Sequence, residues 1–271
     1  MKKFFLLTLL PLLLFSKDDI FLGGGPYFQT LPYKDADPVV LATPVIFFDN
    51  SLFYIRWTRV GMYFLGESGE TQSWGLSFTA QPQILGYYER RALTQLNHRS
   101  KTPILQGMTE RDSGWEGGLA AAYARGDFFA EFLVMHDITD TNNGTKLRLE
   151  AGQSFSVGKW YFVPSVLAVW LSQPFANYYF GVKNSEENLL IGRPAYRSDA
   201  TLNLAVQTYI KYNINAHWHL LGNLRADRFG DPVSESPLTE TRIMYSGMLS
   251  VLYSFNLFGE DKAVLNPPEK R

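Results

Sequence analysis

The residues able to do chemistry are few and scattered. His217 and His219 flank Trp218, so on an extended strand they share a face, and two imidazoles there could begin a metal site. No third ligand is evident beside them; the other histidines are His98 and His136, and a polar pair facing a wet interior is the preferred reading. A lipid hydrolase would need a serine, a histidine base and an orienting group. Serines and histidines are present, but no Gly-x-Ser-x-Gly elbow is. Asp137, Asp140, Asn142 and Asn143 carry oxygens suited to Ca²⁺, and turns favour the same residues. Gly23-Gly24-Gly25 lacks the Lys-Ser/Thr and following helix of a phosphate-binding loop; glycine there lets a strand curve or pack closely. Glu89-Arg90-Arg91 with His98, Arg99 and Lys101 forms a basic cluster that would either meet lipopolysaccharide phosphates or stay a solvated loop. The expectation is a chain with no catalytic residue, no metal ligand set and no cofactor.

The elements around these residues explain the lack of chemistry. Met1-Lys2-Lys3, an apolar run over 4–15 broken only by Thr8 and Pro11, then Ser16 and Lys17-Asp18-Asp19 have the layout of a secretory signal peptide over 1–16. That run is shorter than the roughly 20 residues a spanning helix needs, and no later stretch reaches even 18 continuous apolar residues. Without cysteine there can be neither a disulfide nor a thiol-linked lipid. A net charge of −1 offers no polycationic surface for nucleic acid. Aromatics reach 15 %, yet mean hydropathy is only −0.12. A thin apolar outer band around a polar interior has this composition.

A period of two decides the class. Over 73–81, Trp74, Leu76, Phe78 and Ala80 oppose serine, threonine and glutamine. Over 145–157, Leu147, Leu149, Ala151, Phe155 and Val157 oppose Lys146, Arg148 and Glu150, with Gln153 the exception. Over 202–212, Leu202, Leu204, Val206, Ile210 and Tyr212 oppose Asn203, Gln207 and Lys211; over 217–227 the polar set includes Asn223, Arg225 and Asp227. Such runs exceed the five or six residues usual in soluble strands and match the 9–11 needed to cross a bilayer at a tilt. The reading is a transmembrane antiparallel up-and-down β-barrel over 17–256, with about 12 strands or 10 as the alternative, and a polar C-terminal extension over 257–271. An even strand number requires one more upward strand within 83–112, placed near 84–91. Lys146, Arg148, Glu150, Asn203, Gln207, Lys211 and Arg225 are then candidate lumen residues. Aromatics near strand ends, among them Tyr27, Phe47, Trp57, Trp160 and Trp218, are expected in headgroup-level girdles. The long stretch 171–198 carries Tyr178, Tyr179, Phe180 and Gly181, as a plug folded inward or a partner site.

Several patches in order along the chain together resemble the MltA-interacting protein/OmpV family of outer-membrane proteins. They are Gly23-Gly24-Gly25-Pro26-Tyr27; Gly107-Met108-Thr109-Glu110-Arg111 with Gly117-Gly118; Tyr178-Tyr179-Phe180-Gly181-Val182 with Glu186, Glu187 and Tyr196; Asp231 with Ser236-Pro237-Leu238; and Tyr253-x-Phe255. The resemblance implies an outer-membrane location among lipid and lipopolysaccharide. It also implies a scaffold role that brings a lytic murein transglycosylase and a murein synthase together. A narrow pore for small solutes is the first alternative, and an outer-membrane lipid hydrolase the second.

Overall fold

Alternating apolar and polar side chains extend the backbone, and in a computed structural model twelve such strands close into one antiparallel barrel. The structure describes residues 19–50, 52–69, 71–85 and 102–256. The signal segment, the basic cluster and the C-terminal extension lie outside the described residues. The strands are β1 Asp19–Gln29, β2 Val39–Asp49, β3 Phe53–Arg56, β4 Arg59–Ser68, β5 Gln72–Gln83, β6 Gly114–Arg125, β7 Phe128–Asp137, β8 Thr145–Gln153, β9 Trp160–Leu171, β10 Thr201–Asn213, β11 Trp218–Arg228 and β12 Ile243–Asn256. Phe155–Val157 prolongs β8 past an irregularity at Ser154 and pairs with the same neighbour, β9. Each strand pairs with the next, and β1 pairs with β12 to close the ring. A Cβ on Gly23 or Gly25 would collide with the carbonyl oxygens of Val251 or Leu249 on β12, so the glycine-rich opening lets the closing seam form.

The inside-out burial identifies the solvent. Val206, Leu224, Leu249 and Phe78 are each more than half exposed, whereas Arg56, Glu131, Glu150 and Lys211 are buried. No described helix is long and apolar enough to cross a membrane; the strands do the crossing. Connections at one end are tight, at 126–127, 158–159 and 214–217, while 30–38, 138–144, 172–200 and 229–242 are longer and share the other end. Outer-membrane barrels put short turns in the periplasm and long loops outside.

Two expectations need correction. Twelve strands close the barrel among the described residues; Ile84 and Leu85 lie in no strand, and 86–91, the rest of the expected upward strand, are outside the described residues. The additional strand is β3, only four residues long. It turns at Trp57-Thr58 into β4, with Arg56 opposite Arg59. Trp57 has φ +57°, at a hairpin position that glycine usually takes, a strain of about 1–3 kcal/mol that the surroundings must hold. The aromatics also divide. Phe128, Trp160, Trp218 and Phe255 are exposed at the periplasmic level, and Phe28, Trp115 and Trp170 at the outer level. Phe47 is buried inside the barrel instead, with Tyr27 and Trp57 packed against its cluster.

The lipid-facing assignment predicts that Val206→Arg, at mid-height on β10, costs about 2–4 kcal/mol in chemical unfolding from bilayers. The same exposed substitution on a water-facing strand would stay within about 0.5 kcal/mol.

Candidate functional site

The barrel interior holds three layers. The periplasmic layer is apolar: Phe21, Phe47, Phe129, Val163, Leu221 and Leu252 form one cluster, joined by Tyr161 and Tyr209. Lys211, buried beside it, sets its ammonium 5.3 Å from the Tyr161 ring centre and 5.7 Å from that of Phe21.

The middle layer is charged and tied across the lumen. Glu131 on β7 accepts from Arg59 on β4 (2.7 and 2.8 Å), Arg56 on β3 (3.2 Å) and Arg148 on β8 (3.0 Å). Arg148 also reaches Glu150 at 2.6 Å. Glu150 in turn accepts from Ser165 at 2.8 Å and from Gln207 at 3.3 Å. Arg56 continues to Asp49 at 2.9 Å and Tyr63 at 2.8 Å. Lys146 bonds Glu116 at 2.6 Å and Gln83 at 2.9 Å, and Arg225 pairs with Asp227. In low dielectric, each charge tolerates burial only through such partners. Asn203 stands higher, accepting the Gly230 N–H at 2.9 Å. The structure therefore joins Arg148, Glu150 and Gln207 in one network and holds Lys146, Asn203, Lys211 and Arg225 in separate contacts. Sequence reasoning missed Glu131, Arg56 and Arg59. On β7 both faces are apolar around Glu131, so period two is lost; the remaining signal was a lone carboxylate in an apolar run.

The outer layer is a second core built by the loops. The helix α1 Gln173–Phe180 carries Pro174 in its first turn, where proline is tolerated, and buries Phe175, Tyr179 and Phe180. They pack with Leu31, Tyr33, Ile104, Met108, Val233 and Leu238. Tyr178 is half-buried, and its hydroxyl accepts the Asp112 N–H at 2.9 Å. Gly181 ends the helix where a Cβ would collide with Asn177. Arg111 bonds the Tyr178 carbonyl at 2.7 Å and both oxygens of Glu186 at 3.0 and 2.9 Å. Burial alone would raise the Glu186 pKa; bonds from Arg111 and from the N–H groups of Lys183 and Thr109 outweigh it and hold it at about 2. The patches over 107–111, 178–187 and 231–238 thus meet in one cap.

The remaining candidates resolve into structural contacts. Asp137 accepts the N–H groups of Thr139, Asn142 and Asn143 at 2.6–3.0 Å, an arrangement of turn chemistry. His217 is exposed and stacks on Tyr253, while His219 is buried. His219 stands 3.2 Å from Ser254 Oγ and 2.8 Å from Asn213 Oδ1, a serine–histidine–amide order. Ser254 Oγ also bonds the carbonyls of Ala216 and His217 at 3.2 and 3.4 Å, acceptors where an oxyanion would need donors. Among the described residues no three histidine or carboxylate side chains gather as a metal set.

Comparison with known proteins adds three findings. A family model described as "MltA-interacting protein MipA" matches residues 22–255. The MltA-interacting protein of Escherichia coli K12 is 24 % identical over 236 residues, 86 % of this chain and 89 % of that one; outer membrane protein OmpV of Vibrio cholerae is 27 % identical over 151 residues, 56 % and 58 % of the two chains. Among solved structures, a loop L8 deletion mutant of OmpT from Vibrio cholerae aligns with TM-score 0.41 at 7 % identity, over 88 % of this chain and 100 % of that one.

Two outcomes follow from the geometry. Glu131→Gln removes the shared carboxylate of Arg56, Arg59 and Arg148 and leaves Arg59 without its ion-pair partner, and should destabilise the folded barrel by about 3–5 kcal/mol, whereas Arg242→Ala, which breaks the exposed pair with Asp231, should cost less than about 1 kcal/mol. The lowered Glu186 pKa stabilises the cap fully above its ordinary value of 4.5, and that contribution fades as pH falls towards about 2. Hydrogen exchange at the Thr109 and Lys183 amides should follow this window, and Glu186→Gln should weaken protection at neutral pH and remove the titration.

Proposed function

The chain belongs to the MltA-interacting protein MipA family, and from that membership we propose that this outer-membrane barrel works as a non-conducting scaffold for murein enzymes. The observation that carries this reading is the obstructed lumen: an apolar floor, a cross-linked charged belt and a loop core stand one above another. Such an interior opposes the passage of solutes, so what the barrel offers the envelope is surface. Its outer surface belongs to lipid and lipopolysaccharide. Its periplasmic rim presents the exposed apolar residues Leu52 and Ile214 in tight turns. The partners proposed for this rim are a lytic murein transglycosylase, by analogy with the named relative, and a murein synthase.

The test is a pull-down of the tagged barrel from crosslinked envelopes, paired with conductance in a planar bilayer. Co-purification of the transglycosylase, weakened by Leu52→Asp with Ile214→Asp, and a silent bilayer are expected. Steady conductance with no murein enzyme recovered would overturn the scaffold in favour of a pore.

A further inference from the structure

Among the described residues the barrel wall has a breach. β2 pairs with β3 only through Phe47, Phe48 and Asp49, and Trp57 N–H adds one bond to Ile46 O at 2.8 Å. Above that point no strand among the described residues pairs with this edge of β2. The other bank is β5 beyond Ala80, the residue opposite Val60 near the start of β4. The breach lies in the half nearer the long loops, beside the outer leaflet.

Both banks carry a proline aimed at it. In an antiparallel ladder, alternate residues turn their backbone groups to opposite sides. Ile46 faces β3, so Pro44 faces the breach. Gly126 N–H bonds Thr71 O on the β6 side, and that register runs unbroken to Gln83, so Pro82 also turns towards the breach. Proline has no N–H to offer a neighbouring strand and belongs on edges. Two such residues oppose sealing by a further strand.

Behind the breach lies a cavity of about 350 Å³, lined by Tyr27, Phe47, Trp57, Gln81, Arg148 and others, within the size range of ligand pockets. Strained Trp57 stands on its lower rim, with Nε1 3.2 Å from Thr43 Oγ1 and its ring 5.5 Å from Tyr27. The lining holds four guanidinium groups against three carboxylates. Arg148 Nε is buried there with no acceptor among the described residues. The loop core above and the apolar layer below obstruct both aqueous ends.

We propose that this cavity binds a single-chain carboxylate amphiphile that enters sideways from the outer leaflet through the breach between β2 and β5. The carboxylate lies against the Arg148 guanidinium in the lining, and the chain lies along Tyr27, Phe47 and Trp57. This ligand role is additional to the scaffold role and does not depend on it.

The experiment displaces a fluorescent conjugated fatty acid with dodecanoate from the full-length barrel in lipid nanodiscs. Saturable displacement by dodecanoate at one site per chain is expected. Arg148→Gln should weaken it roughly tenfold or more, the scale of one lost charge-assisted hydrogen bond. Dodecanol should bind weaker by a similar factor, butyrate should not displace the probe, and Gln81→Trp, which fills the cavity mouth, should abolish binding in barrels that keep their β-sheet dichroism. Unsaturable partitioning, displacement by butyrate as effective as by dodecanoate, or unchanged affinity in folded Gln81→Trp and for dodecanol would overturn the proposal.

Discussion

Backbone amides are costly to leave unpaired in hydrocarbon, and this constraint organises every strand boundary of the molecule except the one between β2 and β5. It requires the chain to cross as extended strands that hand their hydrogen bonds to neighbours, and it requires the last strand to meet the first. The β1–β12 ladder from Asp19–Asn256 up to Gln29–Ser246 meets that demand. Closure then sorts side chains by parity: one set on each strand meets lipid and the alternate set is enclosed. Interior burial of Lys211, Glu131 and Glu150 beside exposure of Val206 and Leu249 follows from this sorting.

Enclosure sets the second problem, the placement of charge away from bulk water. Three arginines from three strands converge at Glu131 on a fourth, and their bonds run across the lumen as well as between neighbouring strands. Such a belt fixes the cross-section as well as satisfying the charges. The outer core does similar work in water: Arg111 and Glu186 join distant loops around buried Tyr179 and Phe180, and give the long connections a folded form.

The strand pattern was legible because lipid and lumen demand opposite chemistry, most plainly over 202–212, where every apolar residue assigned to one face stands outward or at the girdle. Legibility fails where one side of a strand has another task. β7 carries Phe129, Leu133 and Met135 inward, which hides Glu131 among apolar neighbours. β3 ends at a turn of tryptophan and threonine, residues that announce no turn, so its separate existence was not readable. Tyr27 and Phe47 sit at strand ends like girdle residues but have inward parity. The loop aromatics were visible as a functional stretch, whereas their partners Arg111 and Glu186 come together only in three dimensions, 75 residues apart.

The central claim is that the apolar face of each strand touches hydrocarbon and its alternate face is enclosed. The cysteine-free chain permits single-cysteine spin labels at successive positions along β10 in lipid vesicles. Collision with dissolved oxygen should peak at positions 202, 204, 206 and 210, with little access to an aqueous nickel chelate, and both should fall at 203, 205 and 211. Equal access of the chelate to both sets, or no alternation along the strand, would contradict the account.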